Sequence, residues 1–523
     1  MIALDQTRTK RLVAVHGWSG TVLGILLYAV VLTGSVAVFA NEIGHWSRGG
    51  GESATQISGR VHQPLMDLSR TVDPSFLEEV TIRPEDGGRL RIAFQRHQPN
   101  PATGRVEDYA EVFHIDAATG AVRSRETGYV QELRGDDRMA ALEQFLIDLH
   151  VRLYVPEPWG LFLTGVLGLA MMAAAVSGFM MHRHLLRDLF AAPRARGLLA
   201  DRRDRHVLAA AWGLPFSVLL AFTGAFLSFA ISLGVPLVAM VAFGGDQRAL
   251  VETVVGAPQV TTKAQALPAS LDYVVLESTE RAGAPPSFIL IENFGTDAAL
   301  VSSFHGYTKG GITRKTLMFD GATRAYLGEK PTLGTEPSAG SAAVSLMGPL
   351  HFGDFAGLAS KTAWFALGLA MSFVIASGLQ LWVHRRSEEP VWRRFGRVVE
   401  IAVWGLPLAL LGTTVAFFLA APAGDTLWWT PAGFLISAGL VVWLGLRAGD
   451  VACAFRPIAA GLCIGLPVLR HLTGGTSWSE ALIAGQTGVL TIDILLIAVG
   501  LVLLQALPLQ HFAAARRVPR AAE

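Results

Sequence analysis

Leu167-Gly168-Leu169-Ala170-Met171 recurs as Leu367-Gly368-Leu369-Ala370-Met371, an offset of 200 residues. The same offset superposes Ser177-Gly178 on Ser377-Gly378 and His184 on His384, and an offset of 201 pairs Leu149-His150 with Leu350-His351. A register of 190 carries His16 onto His206, Thr33-Gly34 onto Thr223-Gly224 and Phe39-Ala40 onto Phe229-Ala230. Self-similarity at a fixed spacing marks a duplicated structural unit and decides the fold. One half of the protein is built twice, with histidines at matching places near the ends of apolar segments. Facing imidazoles inside a membrane are what a haem iron needs from a protein.

Composition sets the class. Of 523 residues, 51% are hydrophobic and 16% charged, and mean hydropathy is +0.42. That is too apolar for an ordinary soluble enzyme and supports several segments of about 20 residues that span a bilayer. The net charge of +1 gives no reason to expect a nucleic-acid partner. Cys453 and Cys463 form neither CxxC nor CxxCH, which argues against covalent c-type haem, thiolate clusters and a disulfide scaffold. The start, MIALDQTRTKRL, lacks a small-residue cleavage site and reads as the approach to a retained helix.

Eight apolar spans are expected, at roughly 12–40, 159–182, 207–240, 361–383, 398–420, 428–446, 457–470 and 481–507, the seventh short enough to be re-entrant or tilted. Arginines crowd the 183–205 and 384–397 loops, and Arg8, Lys10 and Arg11 and the tail's Arg516, Arg517 and Arg520 agree with them. By the positive-inside bias both termini face the cytoplasm. The implied domains are 1–40, 159–186, 206–240 and 361–386 as membrane helices, 187–205 as a cytoplasmic loop and 398–510 as extra helices. The polar segments 41–158 and 241–360 then lie outside. Alternating runs at Glu79–Arg83, Arg89–Phe94 and Ser287–Ile291 read as strands. Phe113–Ala121 aligns with Leu317–Ala325 at an offset of 204, each with an Asp-x-x-Thr turn, although Arg324 stands where Gly120 does. The expected architecture is a helical polytopic membrane protein with two outer α+β domains, duplicated about an axis along the membrane normal.

Arg11-Leu12, His16-Gly17-Trp18-Ser19-Gly20 and Thr33-Gly34, with Leu149-His150, Ser177-Gly178, His206, Thr223-Gly224 and Leu350-His351-Phe352-Gly353, resemble the PepSY-associated transmembrane family. The paired turns resemble its PepSY-type outer domains, and the likeness covers about residues 8–386. It implies an inner-membrane ferrisiderophore reductase or iron-regulated membrane protein, in which two b-type haems carry electrons to ferric siderophores in the periplasm. Departures are the Gly after His16, Arg324 in the turn, and about 140 residues of further helices.

The repeats single out His16 with His206 and His150 with His351 as ligand pairs for two haem irons. His184 and His384 repeat too, but each abuts arginine and reads better as a headgroup-level residue. His45, His62, His97, His114, His182, His305, His471 and His511 have no repeat partner and read as structural, although His114 or His305 could meet substrate. Gly49–Gly51 lack the strand-to-helix setting of a dinucleotide site, and there is no Walker A, HExxH or Gly-x-Ser-x-Gly. Electrons would therefore come from quinol or a separate donor protein. Trp404-Gly405-Leu406-Pro407 echoes Trp212-Gly213-Leu214-Pro215, a chance match or a modified copy docked on the core. Asp493 is the one clear intramembrane carboxylate. Three other readings remain: a haem-free PepSY-type peptide-binding or protease-modulating protein, a solute transporter, and a reductase of copper or another metal chelate.

Overall fold

The computed structural model describes residues 5–505 apart from 49–55, 59, 86, 102–105, 136–139, 182–197, 247–248, 251–252, 255–263, 308–310 and 335. The chain folds into two compact units, one of residues 1–50, 138–232 and 361–523, the other of 51–137 and 233–360. Among the described residues, eight helices are long and apolar enough to cross a membrane, which makes this a polytopic membrane protein.

The first unit holds the helices α1 (Gln6–Ala37), α2 (Ala40–Ser47), α5 (Ala141–Arg152), α6 (Trp159–Met180), α7 (Leu198–Phe229) and α11 (Leu358–His384). It continues with α12 (Pro390–Ala420), α13 (Thr426–Arg447), α14 (Val451–Leu472), α15 (Trp478–Ile483) and α16 (Thr487–Gln505). Asp5 starts α1 by accepting the Arg8 amide at 2.7 Å, which satisfies one orphan N–H of the first turn. The spans are apolar all round, so many large side chains stay exposed, among them Leu169, Leu435, Leu440 and Trp443. Such surface suits lipid. Trp428 and Trp429 at the start of α13 are exposed likewise, as an interfacial belt requires.

With the hydrophobic effect weak between helices in lipid, close packing relies on small residues. A Cβ at Gly168 of α6 would come within 3.1 Å of Ala225 on α7, and one at Gly368 of α11 would collide with Ser35 on α1. Ser35 and Ala225 stand in the 190-residue register, so the repeated LGLAM motifs make equivalent contacts. The duplication is thus a packing symmetry within this unit. The C-terminal helices dock on it: Tyr28 donates to the Val403 carbonyl at 2.8 Å, and Trp46 packs edge-on against Phe418 with centroids 5.1 Å apart.

Two spans differ from expectation. The seventh is a full 22-residue helix, Val451–Leu472, with Pro457 and Pro467 inside it. Arg456 and Arg470 shorten its apolar run in sequence, yet Arg470 is buried and paired. The eighth begins at Thr487, because Ser477 and Glu480 form a capping box that starts the separate helix α15. Residues 182–197, with His182 and His184, and the tail's His511 and arginines lie outside the described residues.

The second unit carries α3 (His62–Ser69), α4 (Val130–Gly135), α8 (Val235–Ala242), α9 (Leu271–Ala282) and α10 (Ala339–Phe352). Its strands are β1 (Glu79–Glu85), β2 (Arg89–Pro99), β3 (Val106–Asp116), β4 (Val122–Tyr129), β5 (Pro286–Glu292), β6 (Leu300–His305), β7 (Lys315–Asp320) and β8 (Tyr326–Glu329). The two segments expected as separate domains share one antiparallel sheet, ordered β4-β3-β2-β1-β5-β6-β7-β8. The seam pairs Val80 with Ile291 and Ile82 with Ile289. Pairing there removes two edges that would otherwise present unsatisfied N–H and C=O groups. Leu65 and Leu68 of α3 and Val274 and Val275 of α9 share one apolar core with the sheet's Ile92, Phe94 and Phe319. The helix starts cap each other. Asp272 accepts the amides of Val61 and His62 at 2.7 and 2.9 Å, and Leu271 N–H donates to His62 Nδ1 at 3.3 Å.

Candidate functional site: a paired-histidine cavity

Helices α1, α6, α7 and α11 line a cavity of about 960 Å³ that contains both His16 and His206. Ligand pockets run to roughly 300–1,000 Å³, so a large cofactor has room. His16 Nδ1 donates to the Ala174 carbonyl at 2.9 Å, with Ser177 Oγ at 3.4 Å. His206 Nδ1 donates to the Val374 carbonyl at 3.1 Å, with Ser377 Oγ at 3.0 Å. Ala174 and Val374, like Ser177 and Ser377, are 200 residues apart. A carbonyl only accepts, so each Nδ1 carries the proton and each Nε2 keeps its lone pair. That is the tautomer a metal-ligating histidine needs, held by the hydrogen bond such ligands normally make behind the ring.

The repeated glycines explain the ring positions. A Cβ at Gly178 would approach His16 Cε1 to 3.2 Å, and one at Gly378 would approach His206 Cε1 to 3.1 Å. Each imidazole therefore lies on bare backbone. Gly17, Gly20 and Gly24 of α1 and Ala210 and Ala211 of α7 keep the walls thin, while Trp382, Arg385 and Arg386 line the cavity as well. A flat, apolar macrocycle with charged substituents fits such a lining. Among the described residues no group of three or more His, Cys, Asp or Glu could hold a bare metal ion. Two histidines alone suit an iron whose other ligands come with its cofactor.

His150 lies in α5, between the spans rather than inside one. Its Nδ1 donates to the Val30 carbonyl of α1 at 3.0 Å, and a Cβ at Gly34 would come within 2.6 Å of Cε1. At Thr33-Gly34, therefore, the bare backbone of α1 is what the His150 ring packs on. Burial holds His150 below the usual histidine range, with the Val30 bond opposing it. His351 occupies the last turn of α10 in the second unit, with its ring 5.7 Å from that of Phe352, and Gly353 ends the helix at φ +66°.

The remaining histidines divide plainly. His384 is exposed at the end of α11, and His184 is outside the described residues. His305 is buried, donating from Nδ1 to Ala284 O at 2.8 Å with Ser303 Oγ 2.9 Å from Nε2, so it is a core residue. His114 is bound to Glu85 at 2.7 Å, and His97 sits between Glu78 and Asp108.

Two features have roles that are not legible in the sequence. Asp493 is fully buried and accepts from Arg470 at 2.8 Å, Trp46 Nε1 at 2.7 Å and Trp478 Nε1 at 2.9 Å, which ties α2, α14, α15 and α16 together. Asp493 is thus a structural anchor. Trp382 and Arg386 form the other feature, a guanidinium stacked 3.5 Å over an indole at the cavity. Neither tryptophan nor arginine repeats, so the duplication gave no signal.

The family described as PepSY-associated TM region matches residues 13–385. An uncharacterized protein of Pseudomonas aeruginosa is 31% identical over 265 residues. The match covers 48% of this chain and 66% of that protein, just under two thirds of its length.

Proposed function

Because this chain belongs to the family of the PepSY-associated TM region, we propose that it is a haem b oxidoreductase of the bacterial inner membrane, passing electrons across the bilayer to reduce a ferric siderophore in the periplasm. The observation that supports this most is the pair His16 and His206, with matched Nδ1 bonds to Ala174 and Val374, in one cavity of about 960 Å³. These two residues hold the first haem; His150 and His351 are the proposed ligands of the second, on the strength of the sequence repeat. A bis-imidazole haem supplies one-electron Fe(III)/Fe(II) chemistry with no coordination position open to dioxygen.

The residues around the first site orient and insulate. Ala174 and Val374 fix the imidazole tautomers, and the cavity's glycines and alanines exclude bulk. His16 and Val30, the carbonyl that holds His150, are 14 residues apart on α1, a helical rise of roughly 20 Å. Sites at those two depths bridge most of a hydrocarbon core about 30 Å thick. Arg8, Lys10 and Arg11 before α1 and Arg385, Arg386, Arg393 and Arg394 after α11 support a cytoplasmic side for the His16 end by the positive-inside bias. The sheet unit then meets the substrate on the periplasmic side. Quinol is the proposed donor: its oxidation releases two protons and two electrons, which reduce two ferric ions. Lower charge weakens a hard, oxygen-rich chelate and frees Fe(II).

The test is a spectrum followed by a discharge. Detergent-purified protein should show a low-spin Soret band and two acid-acetone-extractable haems per chain. Reduced protein should be reoxidised by a ferric siderophore, with Fe(II) trapped by a chelator. Colourless protein would leave the haem-free peptide-binding reading, and discharge into copper chelates or quinone alone would remove the siderophore.

A further inference from the structure

Resting on that reading of the cavity, we propose that its arginine–tryptophan end is a carboxylate-binding subsite, where Arg385, Arg386 and the Trp382 indole N–H take the propionates of the macrocycle. All three line the same cavity as His16 and His206. The Arg386 guanidinium carbon sits 3.5 Å over the Trp382 ring, and Trp382 packs edge-on against Trp18 and Trp392, with centroids 5.3 and 6.1 Å away. Stacking of this kind fixes the guanidinium plane and leaves its N–H edge for an acceptor.

Among the described residues, the donors at this end have no acceptor. Trp382 Nε1 is buried with no hydrogen-bond partner among the described residues. Among those residues Arg385 and Arg386 make no ion pair with a carboxylate, whereas Arg203, also in the lining, is paired with Asp204 at 3.1 Å. A buried N–H without an acceptor needs an explanation, and a ligand group is one. The subsite is also tied to both imidazoles. A Cβ at Gly17, next to His16, would collide with the Trp382 ring, and Trp382 follows Val374 and Ser377, which orient His206, on α11. Two carboxylates at the edge of hydrocarbon need cationic partners, and guanidinium edges match them bidentately. A lipid phosphate presents the same chemistry, so the experiment must separate the two.

The measurement is the rate of haem transfer from full-length protein in detergent to excess apomyoglobin, in a His150→Ala background that isolates the cavity haem. The double variant Arg385→Gln/Arg386→Gln should lose haem on the order of tenfold faster or more, and Trp382→Phe should lose it faster by a smaller factor. Both should keep the low-spin bis-histidine Soret band. Protein loaded with haem dimethyl ester, whose propionates are blocked, should release it at the arginine variant's rate whether or not the arginines are present. Unchanged haem loss in the variant overturns the subsite. Loss of the ester accelerated by the same factor as loss of haem overturns it too, and assigns the arginines to lipid phosphate or to the fold. A parent protein without any Soret band sinks the haem reading itself and the subsite with it.

Discussion

At the scale of single residues, the site is governed by what glycine omits. The 3.2 and 3.1 Å approaches at Gly178 and Gly378 leave no space for a branched side chain beside His16 or His206. Gly178→Leu or Gly378→Leu should therefore displace the imidazole and convert the low-spin Soret signal as removal of the histidine does, although both ligands remain in the sequence. An unchanged spectrum in both variants would separate the rings from the haem. The sequence made His16, His206, Ser177 and Ser377 visible because duplication repeats what packing demands. It hid Trp382 and Arg386, which occur once and act by stacking. A different residue, His305, sets a pH response. Burial holds it below the usual 6.5, with the Ala284 bond opposing. As pH falls through that value the unfolded chain takes up a proton that folded His305 refuses, so its stabilising contribution is present above about pH 6.5 and declines below it. Denaturant unfolding of the sheet unit should show this acid loss, and His305→Asn should flatten it; an equally steep slope in the variant would assign the effect elsewhere.

At the scale of elements, turns are legible in the sequence where local chemistry sets them, and helix ends are not where a distant partner does. Asp116 gathers the amides of Ala118 and Thr119, and Asp320 gathers those of Ala322 and Thr323, so both hairpins follow from Asp-x-x-Thr alone. The turns differ at one position: Gly120 has φ +71° and Arg324 φ +68°. The left-handed region costs a non-glycine residue roughly 1–2 kcal/mol, partly offset by the Arg324 guanidinium 4.9 Å from the Tyr273 ring. Gly120→Ala should destabilise by about 1–2 kcal/mol, since its Cβ would also press on Pro64 at 2.8 Å; Arg324→Gly should be near neutral in the same melting assay. Helix α14 shows the opposite case. In sequence its Arg470 looks like a helix end, yet the helix runs on to Leu472 because Asp493, on α16, meets that charge. Asp493→Asn leaves the Arg470 charge buried without its counter-charge and should cost about 3–5 kcal/mol. Adding Arg470→Gln should recover part of that loss, because the charge is then gone; thermal melting in detergent with strictly additive losses would show that the two residues are not a coupled pair.

At the scale of the whole molecule, the chain enters the sheet unit once within each repeat, at 51–137 and at 233–360, and duplication builds both units. In the membrane unit the copies meet through Gly168 with Ala225 and Gly368 with Ser35. In the other unit they meet through β1 and β5. The repeat itself was legible from offsets of 190, 200 and 204, but the seam was not. Alternation in Val80–Ile82 and Ile289–Ile291 says which side chains are buried, and says nothing about which strand lies alongside. One sheet rather than two has a consequence for how the protein can be divided. Residues 56–135 contain α3 and β1–β4, and 264–334 contain α9 and β5–β8. Joined by a flexible Gly/Ser linker, these two pieces should form a soluble, monomeric β-rich protein with one cooperative transition, since the seam, the shared core and the mutual capping of α3 and α9 are all present. Either piece alone exposes the β1 or β5 edge and half the core around Leu65 and Val274, and should aggregate or pair with itself. Should each half prove monomeric and melt as sharply as the joined protein, the seam contributes nothing to folding and the two repeats are independent domains after all.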